Sequence, residues 1–403
     1  QNSQNEILDQ VLLSIFRAPH SYTGENIIEF GLHGGMAVTK QALNAIIQAG
    51  ARHAEPGEFT KRAFLNSKLD LAQAEAVLDL IKSKSEKSSQ VAVNQLCGSL
   101  SKKIRTIKDE LMKLFAHMEA FLDFPDEQIE IYSDNSITQK IETVQSEIEK
   151  LIKSFTSGAL IREGIQVAII GKPNVGKSSL FNSLLERDRA LVSEYAGTTR
   201  DHLEELVEIG GVAVRLIDTA GLMTDAEHPL DQMGIEKTKT SIDKADLYLF
   251  MVDGSSDLAD EDRKAFAELD AQKPKLVIVN KADLKQKIEK QKLEEFTCES
   301  NLISLSTKTK DGFNELEKRM IEIVFGQQLS VEGEQVTRLR HKNALENAES
   351  AIKRMREAFA KKESLEFVTL ELKTALDHLR EMIGEVYSED LLDVIFKEFC
   401  IGK

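Results

Sequence analysis

Directly after the apolar run Gln166–Ile170 the chain reads Gly171-Lys172-Pro173-Asn174-Val175-Gly176-Lys177-Ser178-Ser179, and an apolar helical pattern follows. A GxxxxGK[ST] loop between a strand and a helix requires the edge of a largely parallel sheet. Its glycines let backbone N–H groups close around phosphate oxygens, and the helix N-terminus adds a favourable dipole. On this reading Gly176 and Ser179 belong to the phosphate cradle and Lys177 reaches the β- and γ-phosphates. Ser178 offers its hydroxyl to Mg²⁺. The surrounding residues fit: Gln166–Ile170, Val214–Ile217, Leu247–Val252 and Leu276–Val279 read as strands buried on both faces.

Three further motifs follow in the order a nucleotide site needs. Gly197-Thr198-Thr199-Arg200-Asp201 supplies Thr199 as a second hydroxyl for Mg²⁺ and a backbone N–H for the γ-phosphate, although alone it also reads as an ordinary turn. Asp218-Thr219-Ala220-Gly221 ends a strand, with Asp218 near the metal and the Gly221 N–H toward the γ-phosphate. Asn280-Lys281-Ala282-Asp283 ends another, at the carboxyl edge where such sheets bind ligands. An Asp283 carboxylate accepts both N1–H and N2–H of guanine, a donor pair that adenine lacks, so GTP is expected over ATP. Lys281 covers the base face, and Ser306, Thr307 and Lys308 offer backbone N–H groups to the guanine oxygen.

Hydrolysis needs a group to orient water, and the residue after Gly221 is Leu222, where Ras-like proteins carry Gln. The loop that follows holds Asp225, Glu227 and Asp231, any of which is also readable as a solvated charge. Asn174, inside the phosphate loop, is either a turn former or a ligand for a monovalent cation that stabilises transition-state charge.

Around this core the pattern is helical. Leu96, Leu100, Ile104, Ile107, Leu111, Leu114, Met118 and Phe121 share one face of a long helix, broken by Asp123-Phe124-Pro125-Asp126. A second stripe runs Ile137, Ile141, Val144, Ile148, Ile152, Phe155, and a third and fourth occupy residues 341–399. Residues 1–68 mix short strand-like runs with one helix. The expected fold is therefore an α/β P-loop GTPase domain inserted into an all-α helical domain and preceded by a small α/β piece. Boundaries are expected at 1–68, 69–161, 162–327 and 328–403. With 52 basic against 67 acidic residues, a net of -15, phosphate contacts must come from a local patch. Residues 337–362 carry eight Lys/Arg against three Glu, readable as such a patch or as a solvated helix face. No run approaches the length of a membrane span, and the opening residues from Gln1 do not read as a charged-then-apolar leader. Cys97, Cys298 and Cys400 show no paired spacing, which fits a reducing cytoplasm.

Taken with Ser21–Glu25, His33-Gly34-Gly35, Pro56–Asn66, Lys68–Glu75, Asp123–Glu127 and the terminal Phe399–Lys403, these motifs make nearly the whole chain resemble the tRNA-modification GTPase family MnmE (TrmE). The resemblance implies a folate-binding-type N-terminal domain that dimerises the protein, and a potassium ion at Asn174, Ser193, Tyr195 and Thr198. It implies contacts to a reduced folate of the 5-formyl-tetrahydrofolate type at Glu29, Lys68 and Lys403. It also implies a flavoprotein partner, MnmG (GidA), and modification of carbon 5 of the wobble uridine of tRNA. The family's catalytic Glu falls on Asp231 counted back from Gly234-Ile235-Glu236, with Glu227 in reserve. Potassium-dependent pairing of two GTPase modules would explain why Leu222 is tolerated. Three departures stand out: the family's opening Gly-rich segment is not in this chain, Met223 replaces a frequent Arg, and the loop after Gly221 is one residue longer. Cys400 reads as structural or site-lining rather than nucleophilic. The competing reading is a GTP-switched RNA or ribosome assembly factor of the Era or Der type, which would carry an RNA-binding domain or a second GTPase module.

Overall fold

The computed structural model describes residues 6–123, 134–187, 204–218, 242–297, 301–326 and 333–402. They form two compact units, one of residues 1–81, 93–152 and 340–403, the other of 82–92 and 153–339.

The first unit opens with an antiparallel pair, β1 (Leu12–Phe16) and β2 (Ile27–Gly31), in which Ser14 faces Glu29. Helices α1 (Met36–Gln48), α2 (Glu58–Leu65) and α3 (Leu71–Lys82) follow, and then α4 (Glu86–Leu96), whose first seven residues belong to the second unit. Two long helices, α5 (Ser99–Asp123) and α6 (Asp134–Glu163), come next. On α5 the stripe from Leu100 to Met118 is buried, and the expected break at Asp123-Phe124-Pro125-Asp126 falls where the described residues end. On α6 Ile137, Ile141, Val144 and Ile148 are buried as expected, but Leu151 takes the next place and Ile152 is only half-buried. Alternating steps of four and three hold a stripe to one face, and a second consecutive step of four drifts off it.

The second unit is a six-stranded sheet. Its strands are β3 (Ile165–Ile170), β4 (Glu204–Ile209), β5 (Val212–Asp218), β6 (Leu247–Asp253), β7 (Lys275–Asn280) and β8 (Leu302–Ser304). The order is β4-β5-β3-β6-β7-β8, with only β4 antiparallel to its neighbour. β4 (Glu-Glu-Leu-Val-Glu-Ile) lies at the sheet edge and lacks the unbroken apolar run that marks the inner strands. Alternate residues of the inner strands enter two separate cores: Val167, Ile169, Leu249 and Met251 pack on one face, Ala168, Ile170, Tyr248 and Phe250 on the other. This explains the unbroken apolar runs. Helices α7 (Lys177–Arg187), α8 (Asp260–Ala267), α9 (Lys290–Leu293) and α10 (Phe313–Phe325) complete the unit. The short segment 82–92 belongs to it as well: Val91 joins the core and the Lys87 N–H donates to Gly211 O at 3.0 Å.

The chain then returns to the first unit through α11 (Leu339–Ala360), α12 (Leu365–Ile383) and α13 (Glu389–Lys397). Leu345, Ala348, Ile352 and Met355 are buried on α11, and Val368, Leu372, Leu376, Leu379 and Ile383 on α12. Leu392, Ile395, Phe396 and Phe399 close a core with Phe64, Leu71 and Leu78. Among the described residues no helix is long and apolar enough to cross a membrane.

Candidate functional site

β3 lies between β5 and β6, so the chain leaves its carboxyl end to one side and returns on the other; ligands bind at such switch points. The loop between β3 and α7 is wound around its glycines. A Cβ on Gly171 would stand 2.4 Å from Met251 O, and one on Gly176, at φ +105°, would stand 2.3 Å from Asn280 Nδ2. No other residue fits either place. Asn174 is exposed and also left-handed, at φ +63°. Lys177 is 7% exposed, and its ammonium donates to Gly171 O at 2.8 Å and Lys172 O at 2.9 Å. Ser178 and Ser179 are exposed in the first turn of α7. Asp218 ends β5 in register with Ile169 of β3, which brings its backbone to the same sheet edge.

Asn280 ties this loop to the next one. It is 1% exposed; its Nδ2 donates to Val175 O at 2.7 Å and to Thr307 Oγ1 at 3.3 Å, and its Oδ1 accepts the Thr307 N–H at 3.1 Å. The residue read as a nucleotide contact therefore serves as the strut between the phosphate loop and residues 306–308. Lys281, at φ +65°, donates its ammonium to Asp253 Oδ2 at 2.5 Å. Burial pushes the Asp253 carboxyl up, but Lys281 and Ser255 outweigh it and hold it below the usual carboxylate range. Asp253 follows directly on the apolar run Leu247–Val252, the sequence signal that places it at this edge. Asp283 is exposed, and its Oδ1 accepts the Ser306 hydroxyl at 2.7 Å. Ser306 is 1% exposed, and its Oγ also accepts the N–H groups of Lys308 at 3.3 Å and Thr309 at 3.2 Å. The N–H groups of Ser306 and Thr307 are already engaged, with Asp311 O and Asn280 Oδ1, so of the three expected donors Lys308 is the least committed. A cradle of N–H groups, an ammonium and an oriented carboxylate thus share one edge of the sheet. That set matches phosphates at one end and a hydrogen-bond-donating base at the other.

In the other unit, Glu29 and Lys68 line one cavity of about 360 Å³ together with Phe16, His20, Ser21 and Tyr22. Tyr22 is fixed by a 3.0 Å hydrogen bond to the Thr60 hydroxyl. Cys400 is exposed, and its carbonyl accepts the Gly57 N–H at 3.4 Å. The basic stretch of α11 is partly spent internally. Arg340 reaches buried Glu75, Arg354 pairs with Glu371 at 2.8 Å, and Arg356 donates to Gln145 at 3.2 Å. The expected ligands Ser193, Tyr195, Thr198 and Thr199, together with Gly221, Glu227, Asp231 and Lys403, lie outside the described residues.

Residues 71–400 match the model of the MnmE helical domain, and residues 1–68 match that of the GTP-binding protein TrmE N-terminus. The tRNA modification GTPase MnmE of Alkaliphilus metalliredigens is 44% identical over 402 residues, covering 99% of this chain and 87% of that protein. The chain belongs to the tRNA modification GTPase MnmE family. The MnmE of Aquifex aeolicus is 43% identical over 403 residues, covering 100% of this chain and 88% of its own. Among solved structures, an Era variant from Aquifex aeolicus bound to GDP·AlF4⁻ aligns over 46% of this chain and 66% of its own, at 28% identity and a TM-score of 0.32. The MnmE match covers all the elements described, so the α/β GTPase-type unit interrupts a helical domain along the sequence and follows a TrmE-type N-terminal piece.

Proposed function

We propose that this chain is a potassium-activated GTP hydrolase that acts in tRNA modification. One observation carries the nucleotide reading: the Asp283 carboxylate, oriented by buried Ser306, shares a sheet edge with the phosphate loop through the Asn280 strut. Gly176, Lys177, Ser178 and Ser179 hold the phosphates, and Lys281 and Asp283 hold the guanine. The residues fit a Mg²⁺–triphosphate: two glycines leave room only for backbone, while exposed Ser178 in the first turn of α7 and the end of β5 at Asp218 lie at the same edge. When bound, Mg²⁺ neutralises charge on the β- and γ-phosphates. Thr199 and Gly221 are the proposed γ-phosphate contacts, and Asn174, Ser193, Tyr195 and Thr198 the proposed potassium ligands. Asn174 suits that role by its exposed, left-handed place inside the loop. Asp231, with Glu227 in reserve, orients the attacking water.

The same reading assigns residues 1–68 to folate binding and dimerisation, 69–161 and 328–403 to the helical domain, and 162–327 to the GTPase. Glu29 and Lys68 fit a reduced folate through their shared aromatic cavity, an acid for ring N–H donors and an ammonium for a carboxylate tail. Lys403 completes the proposed folate contacts. A flavoprotein of the MnmG (GidA) type is the proposed partner, carbon 5 of the wobble uridine the site of modification, and the cytoplasm the location. GTP turnover measured in potassium against sodium tests the hydrolase, with dimerisation followed in a GDP–metal-fluoride complex. We expect turnover in potassium to exceed that in sodium by on the order of tenfold, and pairing of the two GTPase modules only in potassium, because a fixed cation replaces the charge an arginine finger would supply. Equal rates in the two salts would remove the cation from the mechanism.

A further inference from the structure

Asp262 lies in the first turn of α8 and is 1% exposed. Its Oδ2 accepts the Ala259 N–H at 3.0 Å and the Lys172 ammonium at 2.8 Å, and its Oδ1 has no hydrogen-bond partner among the described residues. A carboxylate taken this far out of water is costly unless a charge answers it. Holding the start of an eight-residue helix requires only the Ala259 contact, which the neutral amide of an Asn would make equally well. Helix capping therefore leaves the ion pair unexplained.

The partner gives the reason. Lys172 is the second residue of the phosphate loop, with its side chain 19% exposed, and its own backbone carbonyl is one of the two that receive the Lys177 ammonium. Through its side chain Lys172 is anchored to α8, and through its carbonyl it fixes the head of the phosphate-binding lysine. We infer that Asp262 is a positioning residue for Lys177, acting through Lys172, and so sets how tightly the β- and γ-phosphates are gripped. The inference rests on the nucleotide reading above. Anchored, Lys172 keeps its carbonyl aimed at Lys177 and its own ammonium turned toward α8. Released, it frees the peptide that orients Lys177, and the grip on the distal phosphates loosens while the base pocket at Asp283 is untouched.

The test uses the full chain with Asp262→Asn, Lys172→Met, the double variant and Lys172→Arg, measuring GDP and GMP affinity by competition with a fluorescent nucleotide. Lys177 reaches the β- and γ-phosphates, so GDP reports on it and GMP does not. Each single variant is expected to weaken GDP about tenfold and GMP less than twofold. The double variant should lose no more than either single, because both break one link, and Lys172→Arg should recover most of the affinity. Lys172→Met leaves Asp262 and its cap in place, so it tests the link even where Asp262→Asn lowers the melting temperature. GDP affinity unchanged in both singles, a parallel loss of GDP and GMP, or a double variant showing the product of the two losses would each overturn the inference. Wild-type protein that binds no guanosine nucleotide would instead sink the nucleotide reading itself.

Discussion

Replacing Asp283 with Asn lowers affinity for GTP by on the order of 10³-fold and moves preference toward xanthosine triphosphate. The Ser306 hydroxyl holds one oxygen of the Asp283 carboxylate at 2.7 Å, and Ser306 is itself buried and fastened by two backbone N–H groups. The free oxygen is thus presented in a fixed direction, and an acceptor of that kind suits the N1–H and N2–H donors of guanine. In the variant the amide oxygen keeps the bond to Ser306, so an NH₂ group faces the base donors. Two donors then oppose each other, and the hydrogen bonds to a charged acceptor are lost. Xanthine carries a carbonyl where guanine carries its amino group, so the substituted amide pairs with it. Competition binding with GTP, ATP and xanthosine triphosphate checks this. Unchanged GTP affinity in the variant would show that Asp283 does not read the base.

Replacing Glu75 with Ala destabilises the helical unit by about 3–5 kcal/mol. Glu75 on α3 is 2% exposed and accepts Arg340 at 2.8 Å and His341 at 2.8 Å; Arg340 also donates to the carbonyls of Glu381 and Met382 at the end of α12. One carboxylate thereby holds the cation that fastens three helices, and its removal leaves buried positive charge unanswered. Burial pushes the Glu75 carboxyl up, but the neighbouring charges of His341 and Arg340 outweigh it and hold it well below the usual range. A group depressed in the folded state contributes its full stability above its unfolded value near 4.5 and loses it as pH falls below. The stability gap between wild type and variant therefore narrows in acid. Denaturant unfolding followed by circular dichroism at pH 7 and pH 3.5 measures it, and a gap that is the same at both values would contradict the assignment.

Much of the site was legible because its parts are local. The turn from β3 into α7 needs Gly171 and Gly176 at set offsets, and the ends of β5 and β7 carry Asp218 and the Asn280–Asp283 motif at strand termini that apolar runs already mark. Other roles were hidden because they depend on who is opposite. Asn280 reads as a ligand contact in one dimension and is a strut in three, since Val175 and Thr307 are remote in sequence and adjacent in space. Asp253, Asp262 and Glu75 are ordinary acids in the sequence, and only burial beside a specific cation gives each its meaning. The basic stretch of α11 errs the other way: charge that suggests a surface patch is partly consumed by Glu75, Glu371 and Gln145.

By itself, the order of residues marked the inner strands and the long helices, placed the phosphate loop after β3, and set Asp283 beyond β7 as the acid proposed to read the base. Those depend on periodicity, turn stereochemistry and donor–acceptor matching over a few neighbours. Only the folded chain decided which charges are spent on structure and which face a ligand, and which loops hold one another in place. Such outcomes depend on desolvation and on distances between residues as many as 265 positions apart, as for Glu75 and Arg340. No local pattern encodes them.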